Sequence, residues 1–226
     1  MRIRALLLGI GLVMAHPQHG HAEPKHGEHD QHGLHGNPED LTGYIAKLED
    51  PARDVWQKPD EVMRLIALSP GQTACDIGTG PGYFALRMAK IVGEHGQVFG
   101  VDVEARILEV LRDRVGASAL RNVTPVLALP GDPLLPPASC DVILIVNTFH
   151  HFPDGVAYLR RAARALKPGG RLINIDFQKR ETPVGPPVAH RIAREEFLAR
   201  AGEAGLTVVA EPTLLPYQYF MVMKTK

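Results

Sequence analysis

The residues of this chain best suited to chemistry stand together at Asp76-Ile77-Gly78-Thr79-Gly80-Pro81-Gly82-Tyr83, three glycines at alternate positions behind a carboxylate. Gln72 to Ile77 has the composition of a short buried strand, and Tyr83 to Val92 that of an amphipathic helix. A strand that turns on glycine into a helix N-terminus offers bare backbone N–H groups and the positive end of a helix dipole to a ligand. That is the plan of a nucleotide-type cofactor site. The dinucleotide fingerprint G-x-G-x-x-G would need its third glycine at position 83, which is Tyr83. Asp76 would repel a diphosphate, whereas it suits a cofactor that carries an ammonium and a sulfonium.

Further positions fit the same ligand. Gln97 to Asp102 reads as a second strand ending in an acid, 20 residues past Gly82. One carboxylate there can accept from both hydroxyls of a ribose. Capping the helix Glu104–Val115 is the plainer role for Asp102. Asn122 to Ala128 reads as a third strand, followed by Gly131-Asp132-Pro133, where Asp132 also has the character of a turn former. Cys140 to Asn147 is an almost unbroken apolar run, as a central parallel strand buried on both faces requires. A helix over Asp154 to Leu166 stops at Lys167-Pro168-Gly169-Gly170, ahead of a strand from Arg171 to Phe177. Ala193 to Ala204 then reads as a helix, and Leu206 to Glu211 and Tyr217 to Lys224 as strands. Alternating βα units imply a doubly wound α/β architecture.

With D-x-G-x-G-x-G at 76–82, the acid at 102 and Leu166-Lys167-Pro168-Gly169-Gly170-Arg171-Leu172 in this order, Pro59 to Lys226 resembles the class I S-adenosylmethionine-dependent methyltransferases. The resemblance implies an α/β, Rossmann-like doubly wound, mostly parallel seven-stranded sheet with a C-terminal antiparallel hairpin. It implies S-adenosyl-L-methionine held by Asp76, Gly78, Gly80, Gly82, Tyr83, Asp102, Val103, Asp132 and Asn147. Asp132 would lie near the adenine amino group, and Asn147 would line the methionine end of the cofactor or the acceptor. The partner implied is a small-molecule methyl acceptor. Methyl transfer from a sulfonium is an in-line displacement, so the protein mainly supplies proximity and alignment. Where the acceptor must lose a proton, His150 is the first candidate base and His151 the second, since both titrate near neutrality. Packing against the sheet or facing solvent is the plain role for either histidine. Leu41, Tyr44, Ile45 and Leu48 share one face of a helix begun by Asn37-Pro38-Glu39-Asp40. Tyr44 and Trp56 are candidates to cover the cofactor, and Tyr217 and Tyr219 to reach the acceptor.

Composition bounds these readings. Lys+Arg and Asp+Glu number 25 each, so no net field draws nucleic acid or an anionic membrane. Cys75 and Cys140 read as two small core residues, with no sign of a metal site or a disulfide framework. One domain is expected over 38–226, with lid helices at 38–68 and the Rossmann-like core at 69–226.

The N-terminus differs in kind. A basic start at Arg2 and Arg4, an apolar stretch from Ala5 to Met14 and small-residue cleavage sites ending at Ala15 or Ala22 make 1–22 signal-like. The stretch is too short to span a membrane, so the mature chain is expected to carry no stable span. Residues 23–37 have no periodic apolar face and read as a His-rich, disordered linker. His16, His19, His21, His26, His29, His32 and His35 are seven of the chain's 11 histidines, and neutral imidazoles at this density bind divalent metals. Such binding would lie outside the fold; no metal site is expected within it. Export to a periplasmic space conflicts with a cytoplasmic cofactor, which leaves a cytoplasmic or membrane-tethered enzyme as the alternative. Two other functions share these residues. One is an exported metal-binding protein whose methyltransferase-like domain is non-catalytic. The other is a nicotinamide-dependent oxidoreductase, which lacks here the G-x-x-G expected after the first glycine pair.

Overall fold

The computed structural model describes residues 40–226; the signal-like segment and the His-rich tract lie outside the described residues. Apolar runs separated by glycine- and proline-bearing turns pair into a seven-stranded sheet of order β3-β2-β1-β4-β5-β7-β6. The strands are β1 (Thr73–Ile77), β2 (Gln97–Asp102), β3 (Val123–Leu127), β4 (Cys140–Val146), β5 (Leu166–Phe177), β6 (Leu206–Ala210) and β7 (Gln218–Thr225). β1 to β5 pair in parallel, and β7 runs antiparallel between β5 and β6. The expected doubly wound sheet with its antiparallel C-terminal hairpin is present.

Helical crossovers bury both faces. On one face α3 (Pro59–Ile66), α4 (Ala85–Val92) and α5 (Ala105–Ala117) set Val62, Met88 and Leu111 against Ile173 and Phe220. On the other, α6 (Gly155–Arg164) and α7 (Arg194–Glu203) set Leu159 and Phe197 against Ile143 and Met221. The unbroken apolar run of β4 therefore has a cause, since Val142 to Ile145 are wholly buried from both sides. Each such side chain contributes about 1.5–3 kcal/mol by leaving water. Two further helices, α1 (Leu41–Leu48) and α2 (Arg53–Gln57), precede this core. Asp40 caps α1 by accepting from the Gly43 N–H at 2.9 Å.

The structure departs from the sequence reading in two places. Lys167-Pro168-Gly169-Gly170 belongs to β5, because Leu166 already pairs with Cys140. A Cβ at Gly170 would come within 3.1 Å of the Cys140 carbonyl oxygen, so only glycine lets the chain pass there. The second departure is a correction. Cys75 and Cys140 are not separate thiols but a disulfide, with Cα atoms 6.2 Å apart and a separation of 65 positions in sequence. Sequence spacing carries no sign of it, because the two cysteines meet only once β1 lies beside β4 in the sheet. Closing so long a loop stabilises the fold by about 4 kcal/mol through restriction of the unfolded chain.

Candidate active site

The strand order reverses between β1 and β4, and in doubly wound sheets ligands bind outside the carboxyl ends at that switch point. A cavity opens there. Its floor is the glycine turn after β1. Gly78 has φ +74°, and a Cβ at this position would lie 2.1 Å from the Thr148 hydroxyl oxygen, so no other residue leaves the turn its shape. The Gly78 and Thr79 N–H groups donate to the Val101 carbonyl at 2.8 and 3.0 Å, which fixes the turn against β2.

Two acids flank the turn. Asp102 accepts from the Gly80 N–H at 2.9 Å and the Glu104 N–H at 3.1 Å, tying the end of β2 to the glycine crest. Burial holds its carboxyl above the usual carboxylate range, against the pull of those backbone donors. Asp76 is more deeply enclosed and accepts from the Thr79 hydroxyl at 2.9 Å. Burial pushes it up to about 7, while the Thr79 and Ala85 hydrogen bonds and the charge of Arg53 act in the opposite sense. Near neutrality this is a carboxyl group that a neighbouring cation would ionise.

Of the residues expected to hold the cofactor, Asp76, Gly78, Gly80, Tyr83, Asp102, Val103 and Asn147 all line this cavity. Gly82 and Asp132 do not. A Cβ at Gly82 would meet Leu111 at 2.6 Å, so that glycine lets α5 pack against the turn. The Asp132 carboxylate accepts from the Leu134 N–H at 2.9 Å and faces Arg161 at 3.4 Å, in the manner of a turn former. Ala128 and Pro130 line the cavity in its stead, and Phe152 stacks on Tyr158 with ring centroids 3.7 Å apart.

α1 and α2 close the cavity from above through Tyr44, Leu48 and Arg53. Leu48 lies over the turn, 3.3 Å from where a Gly80 Cβ would stand. Among the links that hold these helices down, Glu49 pairs with Arg114, and the Tyr83 hydroxyl donates to Asp54. Trp56, expected as part of the cover, packs on Phe177 instead, with ring centroids 5.4 Å apart. Arg53 escaped the sequence reading because its place depends on how the helix folds back, and no local motif records that.

Past β4, a 3-10 turn at Phe149–His151 separates the two histidines. His151 lines the cavity. His150 does not; its Nδ1 lies 3.0 and 3.1 Å from the two Asp176 carboxylate oxygens, and both side chains are buried. The two imidazole rings are 4.0 Å apart. Asn147, at φ +53°, accepts from the Gln218 side-chain amide at 2.6 Å, and Gln218 accepts from Gln57 at 2.9 Å. Tyr217 and Tyr219 do not line the cavity; Tyr219 is buried against Phe197. Among the described residues no cluster of His, Cys, Asp and Glu could hold a metal ion, and no helix is long and apolar enough to cross a membrane.

The donor set fits an adenosyl amino acid. The cradle admits no side chain at Gly78, Asp102 can meet ribose hydroxyls, Asp76 suits a cation, and a buried Arg53 nitrogen, Nε, has no acceptor.

Comparison with known proteins agrees. A family model described as "Methyltransferase domain" matches residues 68–209. The chain is 32% identical over 164 residues to 27-O-demethylrifamycin SV methyltransferase of Amycolatopsis mediterranei, covering 70% of this chain and 55% of that one. It is 31% identical over 128 residues to demethylmenaquinone methyltransferase of Listeria welshimeri, covering 57% and 53%. The chain thus spans about half the length of the curated relatives it matches. A solved S-adenosylmethionine-dependent methyltransferase from Aquifex aeolicus superposes with a TM-score of 0.76 at 29% identity, over 80% of this chain and 96% of that one. Neither the oxidoreductase nor the non-catalytic reading draws support from these likenesses. The chain belongs to the class I methyltransferase domain family, with S-adenosyl-L-methionine as its cofactor.

Proposed function

We propose that this chain transfers a methyl group to a small organic acceptor entering beside Asn147 and His151. The observation that carries the proposal is the cavity at the switch point, where the glycine cradle, Asp76 and Asp102 converge beneath α1. The cofactor supplies a methyl group already activated on sulfonium. Asp76 and Asp102 orient it, Leu48 and Tyr44 exclude water above it, and Asn147 borders the space in which an acceptor would stand. For a hydroxyl or carbon acid acceptor, His151 is the group placed to take the proton, with the buried His150–Asp176 pair behind it. The names of the relatives give 27-O-demethylrifamycin SV and demethylmenaquinone as those proteins' acceptors, and small organic molecules are accordingly the class proposed here. The test is release of S-adenosylhomocysteine with a 14 Da gain on an acceptor drawn from a panel of phenols, quinols and polyketides. Binding of the cofactor with no methyl lost to any member of that panel would favour a non-catalytic protein.

Two proposals concern the compartment and the tract. We infer that the domain works outside the cytoplasm, supported by the signal-like residues 1–22 and by the Cys75–Cys140 disulfide, a bond that persists in oxidising compartments. Mass spectrometry of unreduced protein from its own cells reads both the mature N-terminus and the thiol state. A full-length chain with two free thiols would overturn it. The His-rich tract is proposed to bind Zn²⁺ apart from the fold. Equal Zn²⁺ titrations for the full chain and a version lacking 1–37 would remove that role.

A further inference from the structure

Arg53 is a permanent cation inside a cavity whose other formal charges, among the described residues, come from Asp76 and Asp102. Its guanidinium lies 3.8 Å above the Tyr83 ring and donates from Nη1 to the Leu48 carbonyl at 2.8 Å. The Nε is buried and has no acceptor. The acid beside it, Asp54, is engaged with the Tyr83 hydroxyl and with Arg87, and Asp76 acts on Arg53 only through space. Burial accordingly lowers the Arg53 pKa, the sign of a charge not fully compensated.

A guanidinium with one edge spent on a carbonyl and the Nε edge unspent matches a carboxylate, which takes two parallel N–H donors. The amino acid tail of the cofactor is a zwitterion. Asp76 suits its ammonium, and the lining offers Arg53 for the other charge. Resting on the methyltransferase reading above, we propose that Arg53 forms a carboxylate subsite, binding the α-carboxylate of the cofactor from the lid. Because Arg53 also holds the Leu48 carbonyl, occupancy of this subsite fastens α1 and α2 over the cofactor.

The rival role is purely structural: Arg53 stacks on Tyr83, ties α2 to α1, and its loss weakens the fold without discriminating between ligands. Calorimetry separates the two with S-adenosylhomocysteine and its decarboxylated counterpart, which differ only in the carboxylate. The wild-type chain is expected to bind the carboxylate-bearing ligand about 10- to 100-fold more tightly, the range of a charge-assisted pair. In Arg53→Gln that preference collapses to within about twofold, with affinity for the decarboxylated ligand nearly unchanged; Arg53→Lys retains part of it. Equal affinities for the two ligands in the wild-type chain overturn the subsite without recourse to any variant. So does a preference that survives in a folded Arg53→Gln. Failure of both ligands to bind the wild-type chain is a different result, which rejects the methyltransferase reading itself.

Discussion

The two halves of the cleft use opposite chemistry. Around β1 and β2 the residues are charged and incompletely compensated: Asp76 and Asp102 are raised by burial, and Arg53 has an unpaired nitrogen. At the cleft ends of β4, β5 and β7 the polar groups are paired, with Asn147, Gln218 and Gln57 in one chain of amides and His150 against Asp176. Uncompensated buried charge is costly unless a ligand completes it, whereas a satisfied network holds its shape with or without one. The first half is therefore built to bind a zwitterionic cation. The second is a wall of paired polar groups, beside which the proposed acceptor would stand.

The disulfide joins these halves, one sulfur on β1 and the other on β4, so the largest effect is expected from breaking it. Cys75→Ala with Cys140→Ala should cost about 4 kcal/mol and lower the thermal midpoint by about 10 °C, with reductant reproducing the loss in the wild-type chain. A midpoint insensitive to reductant would show that the halves do not depend on the bond.

The charged half should respond to pH. Burial pushes the Asp76 carboxyl up to about 7 in the folded chain, above the 3.8 of an ordinary aspartate. The native state then binds more protons than the unfolded one between about 4 and 7. Stability from this group falls as pH rises through that window and is flat above it. Binding of a cation runs the other way. Affinity for S-adenosylhomocysteine should climb by up to about tenfold per unit below 7 and level off above, once the ligand's own titration is subtracted. Asp76→Asn should abolish the slope, and a slope that persists in that variant assigns it to another group.

The paired half offers a smaller effect. Gln218→Leu leaves the Asn147 and Gln57 amides short of a partner and should cost about 1–3 kcal/mol in urea unfolding. Cofactor affinity should change less than stability does. Equal losses in both would mean that the amide chain belongs to the cofactor half after all. The two histidines offer the last contrast. His151→Ala should lower turnover by about 100-fold with little change in stability, while His150→Ala, which strands the buried Asp176, should act mainly on stability. The reverse pattern would restore His150 as the base.

Local pattern made the charged half legible. A glycine turn and two strand-end acids lie within 27 residues of one another, and their roles follow from backbone geometry that sequence spacing controls. The strands were readable for the same reason, since parallel burial leaves continuous apolar runs. What escaped depends on contacts between distant segments. The Cys75–Cys140 bond needs the β1–β4 pairing, Arg53 needs α2 folded back over the turn, and the Gln57–Gln218 contact joins residues 161 apart. The rank of the two histidines turned on a single 3-10 turn, whose rotation aims one ring at the cavity and the other at β5. Asp132 had the right residue type a few positions along a loop, and a Pro-rich loop has no period from which to read direction.

The most direct measurement is isothermal titration of the wild-type chain and of Asp102→Ala with S-adenosylhomocysteine at pH 7.5. A saturable one-to-one isotherm, weakened about 10- to 100-fold in the variant through loss of a carboxylate that accepts from the ribose, is the expected result. No heat up to millimolar ligand, or equal affinity in both proteins, would contradict the assignment of this cleft to an adenosyl cofactor.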